Sequence, residues 1–428
     1  MRPFAIILVC LGIAWAGGAN SEPSPEIAVS RLASSPRFAA VQAALKADYE
    51  RTVADIIRIT EVPAPPFAEH RRAEMLRKDF EALGLKDVAI DPEGNVTGVR
   101  PGQRTRGKGP FVVVAAHLDT VFPAGTDVTV RRDGWRLSAP GIGDNSRSLA
   151  TLLAWTRAMD SAGVRTDADL LLVANVGEEG QGDLRGVKAL FGKGAYAGRI
   201  SAFFSVDGSD PAGVVTRGVG SKRYRVIFRG PGGHSYGAFG IVNPMAAMAG
   251  AVSGLYALSP PASPRTTYSA SVAGGGTSVN TIPSSVFVEV DLRSEDPSAL
   301  AELDAQFKAS VDRAVMAENT ARSTAQGPVS VEMKILGERP AGATPSSSRI
   351  VRITRAAIAD RGFAAIEEAS STDSNIPMSL GVPAVTIGAG GRGDRAHAPD
   401  EWIDVEPVEM VKGMSAGLLA ILAMAGAR

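Results

Sequence analysis

FVVVAAHLDT, residues 111–120, decides how the rest of this chain is read, because an unbroken apolar run stops abruptly at His117 and Asp119. Four large hydrophobic residues and two alanines predict a strand buried on both faces, the kind found inside a parallel sheet. Alternation along a strand sends His117 and Asp119 to the same side. An imidazole with a carboxylate two residues on suits a metal ligand whose second ring nitrogen donates to the acid. The same pair also reads as a hydrogen-bonded loop start, so its meaning depends on what else converges there.

Outward from this strand the chain alternates strands and helices. Helical spacing covers residues 38–60 and 68–84, the second ending at Gly84, with proline-rich EVPAPPF between them. Short strands are predicted near 87–91 and 95–101. A loop and hairpin then lead to APGIGDNSRSLATLLAWTRAMD, where Gly141 and Gly143 precede a helix from about 146. DLLLVANV (169–176) and SAFFSV (201–206) are further buried strands. A helix over 347–361, the strand PAVTIG near 383–387 and a C-terminal helix from about 406 complete the pattern. The expected fold class is α/β: a mostly parallel sheet sandwiched by helices.

The pattern changes near residue 219 and changes back near 338. Between them the order is strand-helix-strand-strand-helix-strand, the ferredoxin-like α+β arrangement. SVFVEVDLR alternates apolar and polar residues, as a sheet with one exposed face requires. The expected division is therefore a catalytic domain built from 38–218 and 339–428, with an inserted lid domain over 219–338.

At 428 residues, two domains are the prior, and lysine plus arginine balance aspartate plus glutamate at 45 each, so no basic stripe or acidic tail argues for nucleic acid. Small molecules or other subunits are the expected partners. The opening MRPFAIILVCLGIAWAGGAN has one arginine, about a dozen apolar residues and then small ones, which predicts a signal peptide over 1–19 and an exported (periplasmic or secreted) mature chain. Retention of this stretch as a membrane anchor is the alternative, and no later segment reaches eighteen uninterrupted apolar residues. Cys10 is the only cysteine. Its removal with the leader leaves nitrogen and oxygen as the ligands for any metal.

Acids and histidines recur where the buried strands end: His117 and Asp119, Glu178 and Glu179, Asp207, and His397, with Asp144 arriving from the glycine-rich loop. The carboxyl ends of strands in an open parallel sheet form its ligand crevice. Two imidazoles with several carboxylates and no thiolate suit a pair of zinc ions, with cobalt or manganese accepted by the same donors. Cations would also relieve the repulsion among the clustered acids.

HLDT, GIGDN, VGEEG, SVDG, PGGHS and AHAPDEW, in this order and around an inserted domain, resemble the dizinc metallohydrolases that include aminoacylase, carboxypeptidase G and peptidase T. The resemblance extends over roughly residues 40–425 and implies a zinc-exopeptidase-like fold. It implies that His117 and Asp207 hold one zinc, Glu179 and His397 the other, and Asp144 bridges them, with a cis peptide from Asp144 to Asn145. It further implies that Asp119 orients His117 and that Glu178 is the general base, moving a proton from the attacking water to the leaving nitrogen. In the lid, His234 is implied as the oxyanion donor, often acting across a homodimer, Asn280 as a substrate contact, and Arg293 as a carboxylate binder. DNSRS departs from the family's usual loop after the bridging acid. The expected activity is cleavage of amide bonds in small peptides bearing a free carboxylate, with N-acyl-amino-acid deacylation as the alternative within the family. A metal-bearing binding protein without turnover is the alternative outside it.

Other features have plain readings. His70, in the charged stretch EHRRAE, is expected on the surface. GAGGRG (388–393) formally fits a dinucleotide fingerprint but lacks a following amphipathic helix, so its glycines are expected to let backbone approach substrate. STDSN (371–375) reads as a helix cap or a specificity loop.

Overall fold

The structure is a computed structural model and describes residues 23–427, so the leader read over 1–19 and Cys10 lie outside the described residues. Strand Phe111–His117 is buried at every position. It runs parallel between Asp169–Asn175 and Ile200–Val206, and Ala384–Ile387 extends the parallel set beyond the latter. Alternation splits its side chains between two cores. Val112, Val114 and Ala116 enter the larger core with the long helices, and Phe111, Val113 and Ala115 enter a smaller one with Leu184, Val187 and Leu190. Each fully buried valine or leucine among them contributes roughly 1.5–3 kcal/mol.

Antiparallel strands flank this parallel centre: Val96–Arg100 and Lys86–Ile90 on one side, Gly213–Gly218 on the other. The fold is mixed α/β with helices on both faces. Helix Ser148–Ser161 lies almost wholly inside, where Trp155 donates its indole N–H to the Met414 carbonyl of the apolar C-terminal helix Pro407–Met424 at 3.0 Å. That second helix is apolar enough to cross a membrane, but most of it is buried in this core.

The inserted region forms its own four-stranded antiparallel sheet, ordered Thr266–Gly275, Ser285–Ser294, Gly220–Arg229, Ser330–Arg339. Strand Ser285–Ser294 alternates buried and half-buried positions. Its inward residues Val286, Val288, Val290 and Leu292 pack with Leu303, Phe307 and Val311 of helix Pro297–Ala321 and with Ala247, Ala251 and Leu255 of helix Pro244–Tyr256.

Local departures from the sequence reading have visible causes. The polar leader contains helix Pro25–Ala33, capped by Ser24 and anchored by buried Val29. The helical stretch 38–60 is two helices, Pro36–Ala47 and Tyr49–Thr60, because the chain turns at Asp48, whose carboxylate receives Arg157 at 2.7 Å. His70 is exposed, as expected. The glycines of GAGGRG serve packing: a Cβ on Gly390 would meet the Met414 backbone at 2.4 Å, and one on Gly391 would meet Arg147 at 1.9 Å. STDSN opens helix Asn375–Ser379, and Asn375 donates to the carbonyls of Val219 and Pro340, both at 2.9 Å. One buried amide thus pins both crossings into the inserted domain.

Candidate metal centre

Sheet register brings the strand ends together, since His117 pairs with Asn175 and Val206 with Ile387. His117, only 1% exposed, points Nε2 at Asp144 Oδ1 (3.0 Å) and Asp207 Oδ1 (3.8 Å). The other oxygen of Asp144 faces His397 Nε2 at 3.1 Å, and Glu179 Oε1 lies 3.1 Å from the same nitrogen. Asp144 therefore stands between the two imidazoles with one oxygen toward each. His117, Asp144 and Asp207 have donor atoms within 4.8 Å of one another, as do Asp144, Glu179 and His397, and also His117, Glu178 and Glu179.

The donor set fits divalent cations. His117 Nε2 and Asp144 Oδ1 are buried and close, yet neither has a hydrogen-bond partner of acceptable geometry. Burial opposes charge on His117, but Asp144 and Asp207 outweigh it and hold the imidazole well above its ordinary range. Asp144 and Glu179 push His397 up to about 11. Burial raises Glu179 as well, against His397. Both imidazoles thus sit where positive charge is demanded, and a cation meets that demand while leaving them neutral ligands.

Each donor is held by the elements around it. Gly141 is left-handed at φ 75, and a Cβ there would strike Thr120 at 2.6 Å, so the turn into Asp144 requires glycine. The Asp144–Asn145 peptide is cis, and Asn145 donates to the Val206 carbonyl at 2.9 Å. The turn bearing Glu178 and Glu179 hangs on Asp119, whose carboxylate accepts both backbone N–H groups, at 3.1 and 2.8 Å.

Asp119 also meets His117, but through its main chain. His117 Nδ1 bonds the backbone carbonyl of Asp119 at 2.9 Å, while the nearer carboxylate oxygen lies 3.7 Å away. The two buried N–H groups of the 178–179 turn have first claim on the carboxylate, since unpaired they would be costly. Arg72, fully buried, donates to the Leu118 carbonyl at 2.8 Å and holds the same strand end from behind.

Residues 113–422 match the family described as Peptidase family M20/M25/M40. The chain belongs to that family. Its fold resembles aminopeptidase PepT of Bacillus cereus, with a TM-score of 0.71 at 20% identity over 88% of this chain and 98% of that one. It also resembles the YXEP protein of Bacillus subtilis, described as a dinuclear metal binding peptidase, with a TM-score of 0.64 at 16% identity over 89% and 99%. Among curated sequences it is 31% identical over 131 residues to a candidate LysW-lysine/LysW-ornithine hydrolase of Pyrococcus furiosus. That match covers 31% of this chain and 35% of the relative, so the chain spans about a third of that relative's length.

Around the centre of this M20 chain, Glu178 is buried, and desolvation pushes its carboxyl well above the ordinary range, against the pull of Arg339. Arg339 donates from Nη1 to Glu178 Oε1 at 3.1 Å and from Nη2 to the Glu178 carbonyl. Arg223 donates to the Gly180 carbonyl at 3.0 Å. Two arginines of the inserted sheet thus hold the turn on either side of Glu179. Sequence reading missed them, because neither lies in a motif and an arginine's burial is not visible in its neighbours. Glu401 and Arg147, which tie the Asp144 loop to the His397 segment, stand inside the quoted AHAPDEW and DNSRS stretches, yet their burial and distant partners are not visible in the residues beside them.

The three residues singled out in the inserted domain have other contacts. Strand pairing sets His234 opposite Thr281, next to Asn280. His234 Nδ1 accepts from the backbone N–H groups of Tyr236 and Gly237, both at 3.2 Å, which leaves Nε2 to carry the proton outward. Both His234 and Asn280 are exposed. Arg293 is half-buried and already paired with Asp291 at 2.8 Å.

Proposed function

We propose that this chain is an exported, zinc-dependent amidohydrolase that cleaves small peptides or related amides bearing a free carboxylate. The observation that carries the reading is Asp144, with one oxygen toward each imidazole at 3.0 and 3.1 Å and Glu178 in the same cluster. His117 and Asp207 would hold one zinc and Glu179 and His397 the other, with Asp144 shared.

Bound zinc supplies Lewis acidity toward the amide carbonyl and lowers the pKa of the attacking water. Glu178 takes the proton of that water and hands it to the leaving nitrogen. Arg339 occupies Glu178 Oε1, which fixes the carboxylate and leaves Oε2 to meet the water. His234 donates from Nε2 to the developing oxyanion, reaching the active site of a partner subunit in a lid-mediated homodimer. Asn280 contacts substrate, and Arg293 receives its carboxylate in exchange for Asp291. Export rests on the apolar N-terminal stretch, and N-terminal sequencing of the mature protein tests it.

Chelation should abolish hydrolysis in the purified protein, and zinc, cobalt or manganese should restore it in the order that identifies the working metal. Activity that survives complete metal removal would end this reading. A panel of dipeptides, tripeptides and N-acyl amino acids separates exopeptidase from deacylase. Glu178→Gln should keep the metal content and lose turnover, and equal turnover in that variant would remove Glu178 as the base. A monomer with full activity by light scattering would rule out action of His234 across subunits.

A further inference from the structure

His397 and His117 are presented very differently. His117 ends a central strand and is buried, whereas His397 is 56% exposed in the connection between two short strands, Arg392–Asp394 and Trp402–Asp404. The backbone is left-handed at His397 (φ 66) and at Arg395 (φ 67). Such conformations are strained in non-glycine residues and persist where the surroundings impose them.

Two buried side chains of opposite charge anchor the hairpin that carries this connection. Glu401, 1% exposed, reaches from the hairpin into the loop of the bridging acid and accepts the N–H groups of Gly141, Gly143 and Asp144 at 2.8, 2.7 and 2.8 Å. Arg147 reaches back from the end of that loop and donates from Nη1 to the carbonyls of Arg392 and Asp404, each at 3.1 Å. These two residues are opposite each other in the hairpin, so one guanidinium closes both of its ends. His117 and Asp207 hang from the parallel strands and use neither contact. Asp144 keeps a separate tie to the Asp207 side through Asn145 and the Val206 carbonyl.

We propose that Glu401 and Arg147 are positioning residues that form a reciprocal lock, assembling the Glu179–His397 half of the centre before any metal arrives and leaving the His117–Asp207 half independent of it. The proposal rests on the two-cation reading of the centre. Outer-shell partners of this kind are typically worth 10- to 100-fold in metal affinity. The lock should therefore act on one of two cations.

The test strips the purified full chain with chelator and titrates it with Co²⁺, reading uptake by equilibrium dialysis and by visible absorption. Wild type should take up two ions. Glu401→Gln and Arg147→Met should each weaken one of them by roughly 10- to 100-fold while leaving the other within about threefold. Equal weakening of both ions, or of neither, overturns the lock. A chain that takes up no cation overturns both the lock and the metal centre, whereas two ions of unaltered affinity in the variants overturn the lock alone. Hydrogen exchange on the unaltered, metal-free protein needs no variant to fold. The amides of Gly141, Gly143 and Asp144 should already be as protected as those in helix 148–161, and protection that appears only after Co²⁺ is added overturns preassembly.

Discussion

Replacing Asp119 by asparagine tests whether its carboxylate holds the catalytic turn or the imidazole. The carboxylate is fully buried and accepts the N–H groups of Glu178 and Glu179 at 3.1 and 2.8 Å. An asparagine oxygen can keep one of these bonds, but its NH₂ then faces the other N–H, donor against donor. One charge-assisted hydrogen bond disappears and one buried N–H goes unpaired, which together should lower stability by about 2–4 kcal/mol. Such a loss is a large fraction of what a domain has to spare, yet it leaves the fold populated. The displaced turn carries both Glu178 and Glu179, so kcat should fall by roughly 100-fold for a shift of order 1 Å. The His117 imidazole is bonded to the main-chain carbonyl of residue 119, which the substitution retains. Metal at the His117–Asp207 half should therefore bind nearly as before. Urea unfolding, steady-state hydrolysis and metal titration measure the three quantities. If stability changes by less than about 0.5 kcal/mol and metal affinity collapses at the His117 half instead, the carboxylate acts on the imidazole and its hold on the 178–179 turn is refuted.

Three further outcomes follow from the packing. Gly391→Ala places a Cβ 1.9 Å from Arg147 Nη2 at φ +91, so urea unfolding should show a loss of more than about 3 kcal/mol, and a neutral result would mean the guanidinium is free to move. Arg339→Met leaves the buried Glu178 carboxylate without its partner, should cost about 3–5 kcal/mol at pH 7, and is refuted by a denaturation midpoint equal to wild type. In the inserted domain, burial works to raise the Asp304 carboxyl, but hydrogen bonds from Lys308, Tyr224 and Lys222 outweigh it and hold the group below its ordinary value of 3.8. The stabilisation from a carboxyl lowered in this way is present above the unfolded pKa and is lost as pH falls through the folded one. Asp304→Asn should therefore cost about 1–3 kcal/mol at pH 7 and approach wild type as the pH falls through the lowered carboxyl range, and a gap that does not shrink on acidification would refute the ion-pair origin.

Much of the larger unit was legible because its acids and histidines sit where unmistakable buried strands stop. Phe111–His117 and Asp169–Asn175 announce themselves by apolar runs, and a parallel sheet aligns their carboxyl ends, so His117, Glu178, Glu179 and Asp207 could be gathered without coordinates. The alternation in SVFVEVDLRS likewise announced the one-faced sheet of the inserted domain. Chain direction and the period of two carry such information locally, within a few residues of each signal.

Other features carried no local trace. Whether the Asp119 carboxylate turns to the His117 ring or to two amides is a competition between partners, and it is settled by which buried group would otherwise be left unpaired. Helix Pro25–Ala33 depends on a cap and one buried valine, too little to rise above its polar surroundings in sequence. Arg339, Arg147 and Glu401 look like any surface charges until the fold buries them against the main chain of segments far away in sequence. Buried strands and the donors at their ends could be read from the residues alone, because hydrophobic period and residue chemistry are properties of short stretches. Which charged side chains hold those donors in place emerges on folding, because a buried hydrogen bond is chosen among all the groups that the packed chain brings within reach.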